Sequence, residues 1–95
     1  MLVRLLYASR ASAPLDASMQ ESILEQSRAH NPAAGITGIL CFSDDVFIQV
    51  LEGGREAVNR VYTAIARDER HEDVTLIAYD RIDERRFAHW SMSQL

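Results

Sequence analysis

Cysteine is nearly missing from this chain. Cys41 is the single one, so no disulfide can form within it. It sits in the apolar run Gly38-Ile39-Leu40-Cys41-Phe42 with no flanking cation to lower its pKa, and reads as a small buried hydrophobe rather than a reactive thiol. No apolar run approaches the roughly 18 residues that cross a bilayer, and the first is broken by Arg4. No secretory leader is recognisable, and a cytoplasmic location without membrane contact is expected. Positive charge is in deficit, with 10 basic against 14 acidic residues and a net charge of −4. The one dense basic cluster, Arg81, Arg85 and Arg86, is interleaved with Asp80, Asp83 and Glu84 and reads as a mixed, solvated turn. Nothing offers phosphate backbones a basic stripe, so nucleic acid is excluded as the expected partner.

What is present is ordinary globular usage, 47% hydrophobic and 25% charged. The 95 residues suffice for one domain, 1–95, with one small core. Leu2 to Ala8 reads as a strand and Ser9 to Pro14 as a small-residue loop. Ser18 with Glu21 three residues on matches a capping box, opening a helix that runs to about His30. Pro32 forbids its continuation. Gly35 to Ser43 is a second strand, Asp44-Asp45 a hairpin turn, and Val46 to Leu51 a third strand ended by Gly53-Gly54. Val58, Val61, Tyr62 and Ile65 mark an amphipathic helix ending near Asp68. Val74 to Tyr79 and Phe87 to Met92 complete the strands.

The order is β-α-β-β-α-β plus one strand. This predicts an α+β, ferredoxin-like fold: a mixed five-stranded sheet with two helices on one face. The helix-free face should then alternate apolar and polar residues if it met water. It does not. Phe47, Gln49 and Leu51 point one way on the third strand, Val46, Ile48 and Val50 the other, and both sets are largely apolar. A covering element is expected there: a homo-oligomer partner, or an effector domain or protein.

Four placements carry chemistry. Gln49 is a polar residue in the apolar strand Phe47-Ile48-Gln49-Val50-Leu51, and a buried amide left unpaired costs about 1–3 kcal/mol. Tyr7 on the first strand offers a hydroxyl that both donates and accepts. Ser27 and Asn31 lie four apart on one helix face, and Trp90 and Met92 alternate onto one strand face. Taken singly, each has a plainer structural reading. A strand tyrosine is usually amphipathic core. An asparagine before proline is usually a helix cap. A Trp-x-Met pair is usually core. Asp68, Arg70 and His71 read as a solvated helix end. Gln49 divides evenly between a structural amide and a ligand contact.

Taken together, Tyr7, Asn31, Gln49, Trp90 and Met92 resemble, in order and spacing, the BLUF family of flavin-based blue-light sensors. The segments Asn31-Pro32-Ala33-Ala34-Gly35-Ile36-Thr37-Gly38, Gln49-Val50-Leu51-Glu52-Gly53, Asp68-Glu69-Arg70-His71 and Trp90-Ser91-Met92 resemble its hallmark stretches, from Leu2 to Leu95. His30 stands where some members carry a second asparagine.

The resemblance implies non-covalent FAD, or in some members FMN, between the two helices with its ring over the sheet. It assigns cofactor contacts to Tyr7, Leu24, Ser27, Arg28, His30, Asn31, Phe47, Gln49, Ile65, Asp68, Arg70 and His71. Within that set Asn31 would meet the pyrimidine edge, Phe47, Leu24 and Ile65 would wall the ring, and Arg28 could approach the phosphates. Tyr7 and Gln49 would be photoactive, the glutamine amide rotating or tautomerising to give a reversible red-shifted state. Trp90 and Met92 would relay the signal through the last strand. The chain would then be a photoreceptor acting in signal transduction and not itself an enzyme. Two other readings stand beside this one. A small flavin-dependent redox enzyme or hydrolase would need a nucleophile–base pair or paired carboxylates, and none stands out. A non-flavin interaction module would leave Gln49 and Asn31 as structural amides. His30, His71 and His89 are not at metal-ligand spacing.

Overall fold

The computed structural model describes residues 1–88 together with the strand residues 93–94. Its elements are β1 (Leu2–Ala11), α1 (Ala17–His30), β2 (Thr37–Ser43), β3 (Val46–Gly54), α2 (Arg55–Arg67), β4 (His71–Ile82) and β5 (Ser93–Gln94). The sheet order is β4-β1-β3-β2-β5. The first four strands are antiparallel to their neighbours, because each β-α-β crossover skips one place and the strand from the other crossover fills it. That is the expected ferredoxin-like pattern. Among the described residues no helix is long and apolar enough to cross a membrane.

Local chemistry sets the boundaries. The helix α1 begins two residues earlier than the Ser18 capping box predicts: Asp16 is the N-cap, and its carboxylate accepts from the Met19 N–H at 2.8 Å. Aspartate leads serine here because the charge also faces the positive end of the helix. After the Asn31-Pro32 break, Gly35 adopts φ +73°, a left-handed turn that directs the chain into β2. Asp44 takes φ 54° in the β2–β3 hairpin, a conformation aspartate tolerates. Gly53 and Gly54 do not break the third strand; they extend it, and Gly54 caps α2. Gly38 is required by close approach, since a Cβ there would fall 1.9 Å from the Val50 carbonyl oxygen.

Two strands run longer than their apolar runs suggest. Ser9, Arg10 and Ala11 continue β1 rather than opening a loop, and β4 adds His71–Asp73 and Asp80–Ile82 at its ends. The expected last strand at 87–92 is corrected in part: Phe87 and Ala88 lie in a bend and turn. Residues 89–92, with Trp90 and Met92, lie outside the described residues. Ser93–Gln94 pairs parallel to β2, opposite Ile39 and Leu40.

The core forms where one sheet face meets both helices. Val3, Leu5 and Tyr7 of β1, Leu40 of β2, and Phe47 and Leu51 of β3 pack with Ile23 and Leu24 of α1 and Val58 of α2. The other face carries the alternate residues. Ile48 is exposed there, while Leu2, Leu6, Val46 and Val50 are half-buried.

Candidate functional site

Register brings the two central polar residues together. Tyr7 of β1 stands directly opposite Gln49 of β3, forty-two positions apart in the chain. Directly paired residues share a sheet face, and the Tyr7 hydroxyl donates to Gln49 Oε1. Both side chains are buried. Burial, with smaller contributions from Tyr62 and Asp68, pushes the Tyr7 phenol far above its ordinary value, so it remains a protonated donor. The Tyr7 ring tilts against Tyr62 at 5.7 Å and meets the His71 ring edge-on at 6.4 Å.

This pair forms the floor of a cavity of about 300 Å³ between α1, α2 and the sheet. That is the low end of the size of a small-molecule site. Of the residues the resemblance assigns to the cofactor, Tyr7, Ser27, His30, Asn31, Phe47, Gln49, Ile65, Asp68, Arg70 and His71 line it. Two of the assigned residues stand outside the lining. Leu24 packs into the core and Arg28 lies exposed on the surface; neither lines the cavity. The reason is helical phase, because Ile23 and Ser27 form the stripe that faces the cavity and their next neighbours lie about 100° round. Ile23, Gln26, Leu40, Val61 and Ala64 line it unforeseen. The amphipathic spacing marked a buried face on each helix but not which part of that face the cavity would take.

The mouth is polar and preorganised. Asp68 and Arg70 are not a solvated helix end: the Arg70 guanidinium grips both carboxylate oxygens of Asp68, at 2.6 Å and 3.1 Å, and reaches Gln26 of α1 at 2.8 Å. The Arg70 side chain holds the Asp68 carboxyl down to about 2, against the opposing effect of burial. The His71 ring packs tilted against Phe47, centroids 4.6 Å apart, and its Nδ1 lies 2.8 Å from Ser9 Oγ. Ser9 was hidden from sequence reasoning because its segment reads as a loop.

One atom in the site is unsatisfied. Asn31 is buried, and among the described residues its Nδ2 has no hydrogen-bond partner. A buried donor left unpaired costs about 1–3 kcal/mol, and this one belongs to a residue lining a largely apolar cavity. That is the environment of a flat, aromatic ligand with a polar acceptor edge.

The sequence matches, over residues 2–93, the family described as BLUF, sensors of blue-light using FAD. The chain belongs to the BLUF family. It is 38% identical over 84 residues to the photoactivated adenylate cyclase subunit alpha of Euglena gracilis, covering 88% of this chain and 8% of that protein. The solved structure of a bacterial light-regulated adenylyl cyclase superposes with a TM-score of 0.96 at 32% identity, covering all of this chain and 28% of that one. The dark-state structure of BlrB, a BLUF protein, superposes with a TM-score of 0.94 at 35% identity, covering 99% of this chain and 71% of that one. The chain thus spans about a tenth of the length of its curated cyclase relatives. As a BLUF domain it is a flavin-based blue-light photosensory module. The cavity fits a flavin on its own features: apolar walls, a buried Asn31 donor without a partner among the described residues, and a phenol–amide pair on the floor.

Proposed function

We propose that the flavin ring occupies the cavity between α1 and α2, and that Tyr7 and Gln49 convert light into a reversible change of hydrogen bonding. The observation that carries this is the Tyr7 hydroxyl donating to Gln49 Oε1 on the floor of an apolar cavity. When bound, the flavin supplies blue-light absorption and an excited state that is a strong oxidant. FAD is the proposed form, as the family description states, with FMN presenting the same ring.

The chain's own residues do the rest. Tyr7 is an oxidisable phenol at the floor, and its hydroxyl proton points at Gln49 Oε1. Were a bound, photoexcited flavin to take an electron from it, the phenol would become strongly acidic, and that carbonyl oxygen is placed to receive its proton. A glutamine amide carries its acceptor and its two donors on different atoms. Rotation about its last bond, or transfer of a proton onto its oxygen, reverses which atom donates toward the cavity. Return of the electron and proton to Tyr7 restores the dark arrangement, so no covalent bond is lost. Asn31 Nδ2 would donate to the ring's polar edge, with Asp68, Arg70 and His71 at the mouth. Arg28 stands on the same helix for the phosphates of the dinucleotide. Trp90 and Met92, beyond the described residues, remain the proposed relay to a partner, either a second copy or an effector domain. The largely apolar outer face with exposed Ile48 supports a covering partner there. A cytoplasmic setting completes the proposal.

The test is colour. The purified protein should be yellow, and blue light should move its visible band to the red, with spontaneous recovery in the dark. A preparation that cannot be loaded with FAD or FMN overturns the proposal. A yellow protein that bleaches only with a reductant would point to a redox enzyme instead.

A further inference from the structure

Glu52 presents a contradiction that the photosensor reading leaves unexplained. It lies on β3 with its side chain on the face opposite Gln49, the face where Ile48 is exposed, yet it is fully buried. What covers it is the chain leaving β4. The N–H of Phe87 donates to Glu52 Oε1 at 2.7 Å, and the N–H of Arg86 donates to Oε2 at 3.1 Å. Arg4 of β1 adds its Nε to Oε2 at 2.7 Å. Arg4, Glu52 and Thr37 form one row across β1, β3 and β2. Arg85 fastens the same segment to that row: it donates to Thr37 Oγ1 at 2.9 Å, to the Glu52 carbonyl at 3.3 Å, and to the Gly35 carbonyl at 2.7 Å. The sequence reading of a solvated turn holds for the exposed Arg86 side chain and is corrected for Arg85, whose guanidinium bonds the strands beneath. Both residues belong to the crossing segment.

A buried carboxylate is tolerable only when its charge is met by strong donors. Burial works against the ionised form of Glu52, but the two backbone N–H groups and Arg4 outweigh it and hold the carboxyl below its ordinary value. The fastening is thus in place across the neutral pH range.

We infer that Glu52 is a positioning residue for signal output: a buried carboxylate latch that ties residues 85–87 to β3, three residues along from Gln49, so that a change in β3 is passed to the chain that follows. Trp90, the single tryptophan, stands three residues beyond Phe87 and reports on that segment without a label. The latch itself is a property of the fold. Its role in output rests on the photosensor reading.

The experiment is amide hydrogen exchange by NMR on the flavin-loaded protein, dark and lit, with Trp90 fluorescence quenching by acrylamide alongside. Glu52→Gln is the informative variant. The two backbone donors use different carboxylate oxygens, whereas an amide has one oxygen and an NH2 that would confront the other donor. In the dark, Arg86 and Phe87 exchange should quicken at least tenfold in Glu52→Gln. Arg85→Gln, which leaves the carboxylate intact, should loosen the same amides if the first variant folds poorly. In the wild type, blue light should shift the Arg86 and Phe87 amide resonances and change Trp90 quenching. In Glu52→Gln the red shift of the visible band should persist while those changes are lost. Dark exchange within twofold of wild type in both variants overturns the latch. A wild type whose visible band shifts while the 86–87 amides stay unmoved overturns the output role and leaves Glu52 a purely structural anchor. If the wild-type band does not shift at all, the photosensor reading fails, and the dark exchange alone judges the latch.

Discussion

Ser9 Oγ and His71 Nδ1 lie 2.8 Å apart, a bond between β1 and the first residue of β4 that fixes the imidazole against Phe47. Burial pushes the His71 pKa below its ordinary value, with Arg70 acting the same way and Asp68 opposing both. The folded protein therefore holds this ring neutral more firmly than the unfolded chain does. The unfolded chain binds the proton first as pH falls below about 6.5, so His71 favours the fold above that value and the benefit fades as pH drops through the lowered native pKa. The urea midpoint should fall between pH 7.5 and pH 5.5. His71→Gln, with an amide that can still bond Ser9, should flatten that part of the profile. An unchanged slope in the variant would assign the acid sensitivity to other groups.

Tyr7→Phe should keep the fold and the colour and lose the reversible red shift. The ring still packs against Tyr62 and His71, so the cavity floor keeps its shape. What disappears is the hydroxyl donor, leaving a buried acceptor on Gln49 short of one partner. That should cost on the order of 1 kcal/mol in chemical denaturation. Gln49→Leu should likewise stay yellow without the shift. A normal photocycle in either variant, read by visible absorption under blue light, would refute the role of this pair.

The fold was largely legible because its strands are short apolar runs bounded by Pro32, Gly35 and the Asp44-Asp45 turn. Strand lengths were less so. The edge strand β4 pairs with β1 on one side, and Glu72, Asp73, Asp80 and Arg81 are exposed, so their pairing leaves no hydrophobic mark in the sequence. Tyr7 and Gln49 could each be singled out, but their apposition depends on a register between strands 42 residues apart. Glu52 was invisible for a different reason. Its burial is created by backbone N–H groups of a distant turn, and backbone donors carry no side-chain signature.

The start of α1 offers a clean stability test. Asp16 accepts from Met19 N–H, whereas Ser18, the sequence-based cap, lies inside the first turn and is exposed. Asp16→Ala should cost about 1 kcal/mol, in the ordinary range for a lost N-cap. Ser18→Ala should be neutral or slightly stabilising, since alanine is the better helix former. Equal losses in the two variants, by thermal or urea unfolding, would place the cap at Ser18.

Asn31→Ala separates binding from folding. The Asn31 backbone holds the turn after α1: its N–H donates to the Ser27 carbonyl, and its own carbonyl accepts from Ala34 and Ile36. Alanine preserves all of these. Its side-chain Nδ2, by contrast, is buried with no partner among the described residues, so in flavin-free protein the dry amide is a burden of roughly 1–3 kcal/mol. Removing it should leave the stability of the flavin-free protein unchanged or raised. With cofactor present the sign reverses, because a ligand stabilises the fold in proportion to the logarithm of its concentration over Kd. Losing a hydrogen bond that the cavity withholds from every other partner should weaken flavin binding about tenfold, for a bond worth near 1.4 kcal/mol. Thermal unfolding with and without excess flavin reads both arms. A variant that loses stability equally in the two conditions would make Asn31 a structural residue and remove the amide from the cofactor site.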